Sequence, residues 1–150
     1  MSKSYLRTGT TLMFAMGFFA LVVSLLWILI TEIMFVSDFL FYTGQSFADY
    51  LAASPANAEI YIITKKLVGF AMLVASLQIL FITKYGYEHG ERWAWFALLI
   101  TGGLFWGMLI GYRLFIGYVG GSMYTFVIGI IIYLLAILLP AKEMLSKEAA

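Results

Sequence analysis

Few side chains in this apolar sequence could do chemistry, and three of them lie at the ends of long hydrophobic stretches: Glu32, Lys65 and Arg113. Ionisable residues in or beside membrane spans are costly and often mark binding sites. Two cations and one carboxylate suit a lipid headgroup, a quinone or another anion, so the pattern predicts a polar ligand-binding pocket. The alternative is that each side chain snorkels to the lipid headgroups.

The remaining reactive residue types do not converge on a catalytic site. No two carboxylates share an inward face with a matched base, so the sequence favours a protein that is not an enzyme. The chain has no cysteine and one histidine, His89, which excludes thiolate ligands and sites built from several histidines. Glu88, His89 and Glu91 could bind a metal, but their short loop favours a solvated cluster. We therefore predict no catalytic residue, no metal and no cofactor.

Composition places most of the chain in lipid. The 150 residues are 63% hydrophobic and 11% charged, whereas soluble domains carry about 25% charged residues. One soluble core could not bury so much apolar surface, which indicates an integral protein of the cell membrane. The net charge of +1 argues against nucleic acid as a partner.

Hydrophobic runs predict a single transmembrane domain over 1–150, an all-α four-helix bundle. The predicted helices cover 10–31, 61–81, 93–115 and 120–139. The first run is longer than the apolar core of a signal peptide and lacks a cleavage site, so we read it as a retained helix. Pro140 ends the fourth helix, and a polar tail is expected after it.

The stretch 32–60 is acidic and rich in aromatic residues, and we expect it to be an extracytoplasmic loop between the first two helices. Ser46 and Asp49 have the spacing of a capping box, which predicts one short helix there. Basic residues are more frequent in cytoplasmic loops, so both termini should be cytoplasmic. The cytoplasmic set would be Lys3, Arg7, Lys84, Arg92, Lys142 and Lys147, against Lys65, Lys66 and Arg113 on the other side.

Small residues recur every fourth position in the last two predicted helices. These positions are Gly103, Gly107 and Gly111, then Gly117, Gly121, Thr125 and Gly129. A step of four places residues on one ridge of a helix, and small ridges let helices in a bilayer touch closely. The pattern predicts a helical hairpin joined by its glycine ridges, a glycine zipper. On the second helix, a stripe of small and polar residues headed by Lys65 is expected to face inward.

The third helix opens with the residues Gly90-Glu91-Arg92-Trp93-Ala94-Trp95. This entry, together with the four-span layout, resembles uncharacterised membrane proteins grouped with the DoxX-like families. The resemblance implies an accessory role in a respiratory or other redox complex, and it assigns no catalytic residue. The motif also has a physical interpretation, in which Arg92 snorkels and both tryptophans anchor the helix at the interface.

These observations predict a non-catalytic accessory or structural subunit of a larger membrane complex. Its partners would be the lipid bilayer and other membrane subunits or further copies of the same chain. The alternative is a small membrane protein or carrier that binds a lipid, quinone or anion near its outer face. An enzyme acting on a membrane-dissolved substrate is the third hypothesis, and it would have to use Glu32, Lys65 and tyrosines.

Overall fold

The computed structural model describes residues 3–115, 117 and 123–146, and every element in this part is helical. The helices are α1 Lys3–Leu29, α2 Thr31–Thr43, α3 Phe47–Ala53, α4 Pro55–Tyr85, α5 Arg92–Phe115, α6 Met123–Leu138 and α7 Ala141–Ser146. A 3-10 turn, Tyr87–His89, joins α4 to α5. Four stretches are long and apolar enough to cross a membrane: Tyr5–Leu29, Pro55–His89, Arg92–Phe115 and Phe126–Ser146. The all-helical class and the four candidate spans are thus confirmed.

The region expected to be an aromatic loop is mostly helical, so that prediction was wrong. At Ile30 the first helix bends, and the Thr31 hydroxyl donates to the carbonyl of Trp27 at 2.7 Å. Beyond the bend α2 continues to Thr43, and Gly44 ends it in the left-handed conformation with φ 69°. The short helix expected near Ser46 is present as α3, and the Ser46 hydroxyl accepts from the Asp49 amide at 3.1 Å.

The second long helix begins earlier than predicted. Hydropathy placed its start near residue 61, but α4 begins at Pro55. Proline suits the first turn of a helix, because the backbone amides of that turn have no hydrogen-bond partner within the helix. The amide hydrogen that proline lacks is therefore not missed there. Pro55 therefore starts the helix.

The helices define two ends of the molecule. The loop end comprises α2, α3 and the first turns of α4, and α5 ends beside them, as the pairing of Arg113 with Asp38 shows. The termini end comprises the start of α1, the 3-10 turn and α7. Between the two ends, α4 packs along α1 over the longest shared length, and α1 also contacts α6.

Small residues allow the close approach of α1 and α4. Gly69 and Ser76 are buried on α4, and Ser24 is buried on α1. A Cβ added at Gly69 would lie 3.0 Å from the Ile28 side chain, so glycine is needed where these helices approach. The inward direction of the Lys65 stripe is confirmed along most of α4.

Aromatic rings against glycines, rather than two glycine ridges, hold α5 to α6. The Trp106 ring of α5 packs on Gly129 of α6, and a Cβ added at Gly129 would lie 2.2 Å from it. In the reverse sense, the Tyr133 ring of α6 packs on Gly102 of α5, where an added Cβ would lie 2.4 Å from the ring. The Tyr133 hydroxyl then donates to the carbonyl of Leu99 at 2.8 Å. The predicted face of α5 was wrong because the large rings, not the ridge, turn toward the core.

Side chains from the α4–α5 connection cap the end of α6. Pro140 has no amide hydrogen, so it cannot complete the helical bond to the carbonyl of Ala136. The buried Tyr87 hydroxyl donates to that carbonyl. One residue further on, the Trp95 indole donates to the carbonyl of Ile137 at 2.9 Å. Trp95 is therefore a buried capping residue, and its predicted role as an interfacial anchor was wrong.

The start of the expected polar tail is the ordered helix α7. Arg92 donates from Nε to the carbonyl of Met144 at 3.2 Å and from Nη2 to that of Leu145. The Met144 side chain is buried against the core. Arg92 thus caps the end of α7, where a cation also suits the helix dipole, instead of only snorkelling.

Replacing Tyr87 by phenylalanine should lower the free energy of unfolding by about 1–3 kcal/mol, because the buried Ala136 carbonyl loses its donor. Unfolding of the purified protein in mixed micelles would measure the loss. Tyr85→Phe is the matched control, since that side chain is 67% exposed at the same end. Equal stability of the two variants would contradict the capping role.

Candidate functional site

Two helices that are far apart in sequence bring opposite charges together at the loop end. Asp38 lies on α2 and Arg113 in the last turns of α5, and Arg113 Nη2 is 3.3 Å from Asp38 Oδ2. Both side chains are partly buried. The Arg113 guanidinium also lies 4.5 Å from the centroid of the Phe126 ring. This ion pair connects α5 to α2. It also shows that Arg113, one of the two cations predicted to bind a ligand, lies at the loop end.

Lys65 is the second cation at the loop end. Its ammonium lies 4.9 Å from the centroid of the Tyr61 ring and 6.0 Å from that of Trp27. Both rings are within the range of cation–π attraction. The Tyr61 ring also packs against Phe39, the residue that follows Asp38 on α2, with 5.5 Å between centroids. Lys65 therefore lies at the same end of the molecule as the Asp38–Arg113 pair, and we call Asp38, Lys65 and Arg113 the loop-end charge cluster.

A group of aromatic rings fixes this cluster in place. Phe35 on α2 packs edge-on against Phe47 of α3 at 4.7 Å and against Tyr61 of α4 at 4.9 Å, measured between centroids. Phe39 adds a further edge contact to Phe47 at 5.2 Å. Edge-to-face pairs contribute about 0.5–1.5 kcal/mol beyond burial. Asp38 lies on the helix that these rings hold against α4.

The carboxylate that pairs with Arg113 is Asp38, whereas the predicted site named Glu32. Glu32 is exposed in the first turn of α2, and no ion pair joins it to Lys65 among the residues that the structure describes. Six residues separate the two acids, which is about 9 Å along a helix. Asp38 follows the buried Phe35 by three residues, so helical spacing would have revealed it if α2 had been recognised as a helix.

The chemistry available at the loop end is electrostatic. Within the loop-end charge cluster, two cations and one carboxylate lie beside an aromatic wall. A fixed positive charge attracts anions. The cluster thus suits an anionic headgroup rather than bond-breaking chemistry.

The glycines of α5 point away from the core. Among the described residues, a Cβ added at Gly107 or Gly111 would meet no atom within 4 Å, and one at Gly103 would only touch the Tyr133 hydroxyl at 3.8 Å. At about 100° per residue, Gly107 and Gly111 lie about 100° and 140° around the helix from Trp106, so they face away from the side that packs on α6. We call Gly103, Gly107 and Gly111 the glycine face. The ridge of α6 predicted to meet them lies largely outside the described residues, so their role inside the hairpin stays a prediction.

The second predicted ridge is also interrupted. Gly117 has φ 68° in the turn that follows α5, and its amide bonds back to Leu114 at 3.1 Å, so it ends a helix. Gly121 and the side chain of Thr125 lie outside the described residues. Gly129 alone contacts α5 as expected, through Trp106.

The charged residues of the α4–α5 connection form a local ion pair. Lys84 Nζ lies 2.8 Å from Glu88 Oε1, and His89 Nε2 lies 3.9 Å from the same oxygen. Among the residues with described positions, no three His, Asp or Glu side chains come together as metal ligands. The connection is positioned to line one end of the bundle.

Fold and site together define an all-helical chain with four helices fit to cross a membrane, a charge cluster at one end and an open glycine face on α5. No family model, curated protein or solved structure matches the chain. Its function must therefore be argued from these residues.

Proposed function

We propose that this chain is a non-catalytic subunit of a larger membrane assembly and that it binds a partner helix through the glycine face of α5. The observation that carries the proposal is the open space at Gly107 and Gly111. Glycine in a helix interior costs about 1 kcal/mol relative to alanine. In a bilayer, close contact with a second helix offsets that cost.

The surroundings of the glycine face suit a helix partner. Leu104 and Met108 border it and are exposed, Met108 by 72%. Large apolar side chains beside a groove of glycines are the elements of knob-and-groove packing between membrane helices. The resemblance of the Gly90–Trp95 motif to DoxX-like proteins favours a respiratory or other redox complex as the assembly. The basic residues favour cytoplasmic termini.

Gentle solubilisation of native membranes tests the proposal. We expect the chain to migrate with a mass well above its own 16.9 kDa in mild detergent, and to release as a monomer only in harsher detergent. A lone monomer under all solubilising conditions, with no co-purifying protein, would contradict it.

A second candidate function is binding of an anionic lipid headgroup at the loop-end charge cluster. The positive charge of Lys65, held over Tyr61 and Trp27, favours it. Such binding is compatible with a role as a subunit, since lipids often lie between membrane helices.

Lys65→Met should reduce co-purification of phosphatidylglycerol several-fold relative to phosphatidylcholine, because one of the two cations is lost. Lipid extraction and mass spectrometry would measure the ratio. Lys66→Met is the matched control, since it removes the same charge from the adjacent, exposed position. Equal ratios for the two variants would contradict the site.

A further inference from the structure

An open groove lies between α4 and α5 and has a volume of ≈ 510 Å³. It is lined by Val74, Leu77, Gln78, Phe81, Ile82 and Thr101. Small-molecule sites typically have volumes of about 300–1,000 Å³, mostly apolar walls and a few polar groups. Two of the side chains in this groove are polar and the others are apolar, so its size and its lining match such a site.

Gln78 provides the hydrogen-bond donors of the groove. Its side chain is exposed, and among the residues that the structure describes nothing accepts from its amide or donates to it. Thr101 lines the same groove, but its hydroxyl already donates to the carbonyl of Ala97 at 2.6 Å. In this part of the chain, the amide of Gln78 is therefore the group that still needs a partner.

The position of Gln78 along α4 keeps its amide away from water. No charged residue lies between Lys66 and Lys84, and Gln78 is about 18 Å from the first and about 9 Å from the second along the helix axis. The Cα–Cβ bonds of a helix lean toward its N-terminus, so this side chain leans away from the nearer headgroups. The hydrocarbon of a bilayer offers neither donors nor acceptors. An occupant with an acceptor at this depth would remove the cost of the unpaired amide.

An exposed aromatic surface lies beside the amide. Phe81 follows Gln78 by three residues, which places both on one side of α4, and both line the groove. The Phe81 ring stacks on the exposed ring of Tyr85, with 5.8 Å between centroids and 17° between planes. Flat rings pack favourably against such faces. The groove thus combines hydrogen-bond donors, an aromatic surface and aliphatic walls.

We propose that this groove binds a membrane-dissolved quinone. The amide of Gln78 donates to a ring carbonyl, the ring packs against Phe81, and the apolar tail lies along Val74 and Leu77. A quinone suits the groove because it carries acceptors on a flat ring and dissolves in the hydrocarbon, below the phospholipid headgroups. The proposal does not rest on the glycine face, since Thr101 lies about 120° around α5 from Gly107.

Equilibrium dialysis of the purified full chain in micelles against 2-methyl-1,4-naphthoquinone tests the proposal. We expect saturable binding above the partition of the quinone into empty micelles. The control ligand is 2-methylnaphthalene, which has the same fused rings without carbonyl groups. It should bind about tenfold more weakly, which corresponds to about 1.4 kcal/mol. Equal binding of the two compounds, or no saturable binding of the quinone, would overturn the proposal.

Gln78→Leu should weaken quinone binding by about tenfold, because it removes the donors and keeps an apolar side chain of similar size. Gln45→Leu is the matched control, since it removes the other glutamine of the chain from an exposed position at the loop end. Phe81→Leu should weaken binding several-fold. Phe70→Leu should not, because Phe70 is exposed on α4 but does not line the groove.

Unchanged quinone affinity in Gln78→Leu would overturn the proposal. If that variant instead dissociated a dimer of the purified chain at unchanged quinone affinity, a second copy of the chain would be the partner of the amide, and the proposal would again fail. Gly107→Leu should leave quinone binding unchanged, because it alters the glycine face and not the groove. Loss of quinone binding in Gly107→Leu would overturn the placement of the site.

Discussion

Gly129→Ala should destabilise the protein by about 1–3 kcal/mol, the usual cost of overpacking a well-filled core. An added Cβ would lie 2.2 Å from the Trp106 ring. The ring cannot move away freely, because Trp106 is itself buried. Unfolding in mixed micelles of increasing denaturing-detergent content would measure the change.

Gly111→Ala is the control for this prediction. The same substitution on the neighbouring helix adds a methyl group in open space, so we expect unchanged stability or a gain of up to about 1 kcal/mol from helix propensity. A loss at Gly111 as large as at Gly129 would contradict the orientation of α5. Gly102→Ala should destabilise the protein as Gly129→Ala does, since its added Cβ would lie 2.4 Å from the Tyr133 ring.

The double variant Gly107→Leu, Gly111→Leu should dissociate the chain from its assembly without unfolding it. Two leucines fill the groove that a partner helix would occupy, and close approach along that face becomes impossible. Within the part of the chain that the structure describes, no atom lies within 4 Å of a Cβ added at either position. Size analysis in mild detergent would show the loss, and unfolding of the same sample would show retained stability.

Ile100→Leu is the matched control, because Ile100 is also exposed on α5 but is already large. This variant should keep the assembly intact. An assembly that survives the double leucine variant would contradict docking through the glycine face. Dissociation by both variants would show that any change on α5 disturbs the complex.

Composition and hydropathy were sufficient to predict the helical class and the four spans. The reason is that about 20 apolar residues in a row have few other stable solutions. Hydropathy predicted the first and last residues of the helices less well. Neither the helical α2 nor the start of α4 at Pro55 was recognised, because aromatic density and proline were read as loop features.

The spacing of residues alone could not show which side of α5 faces α6. Gly103, Gly107 and Gly111 lie on one side of the helix, and Trp95 and Trp106 on the other, so either side could have faced α6. The rings face inward because each finds a specific partner: Gly129 for Trp106 and the Ile137 carbonyl for the Trp95 indole. Such pairings depend on residues distant in sequence, which a local pattern does not contain.

The candidate site, too, was predicted only in part from local sequence patterns. Lys65 and Arg113 were predicted to share a site; Arg113 pairs with Asp38 of α2, and Lys65 lies over Tyr61, which packs against the same helix. The sequence did not reveal Asp38 as the partner of Arg113, because its position depends on how far α2 continues past the bend at Ile30.

The most direct test of the proposed docking face is photo-crosslinking in native membranes. The natural chain has no cysteine, so Gly107→Cys and Gly111→Cys can each be labelled singly with a benzophenone maleimide. Val74→Cys on α4 and Leu135→Cys on α6 serve as controls, because both natural side chains are exposed and lie on other helices. We predict a discrete protein adduct from both α5 positions and only lipid adducts from the controls. Lipid adducts alone from Gly107→Cys and Gly111→Cys would contradict the proposal that α5 binds a partner helix.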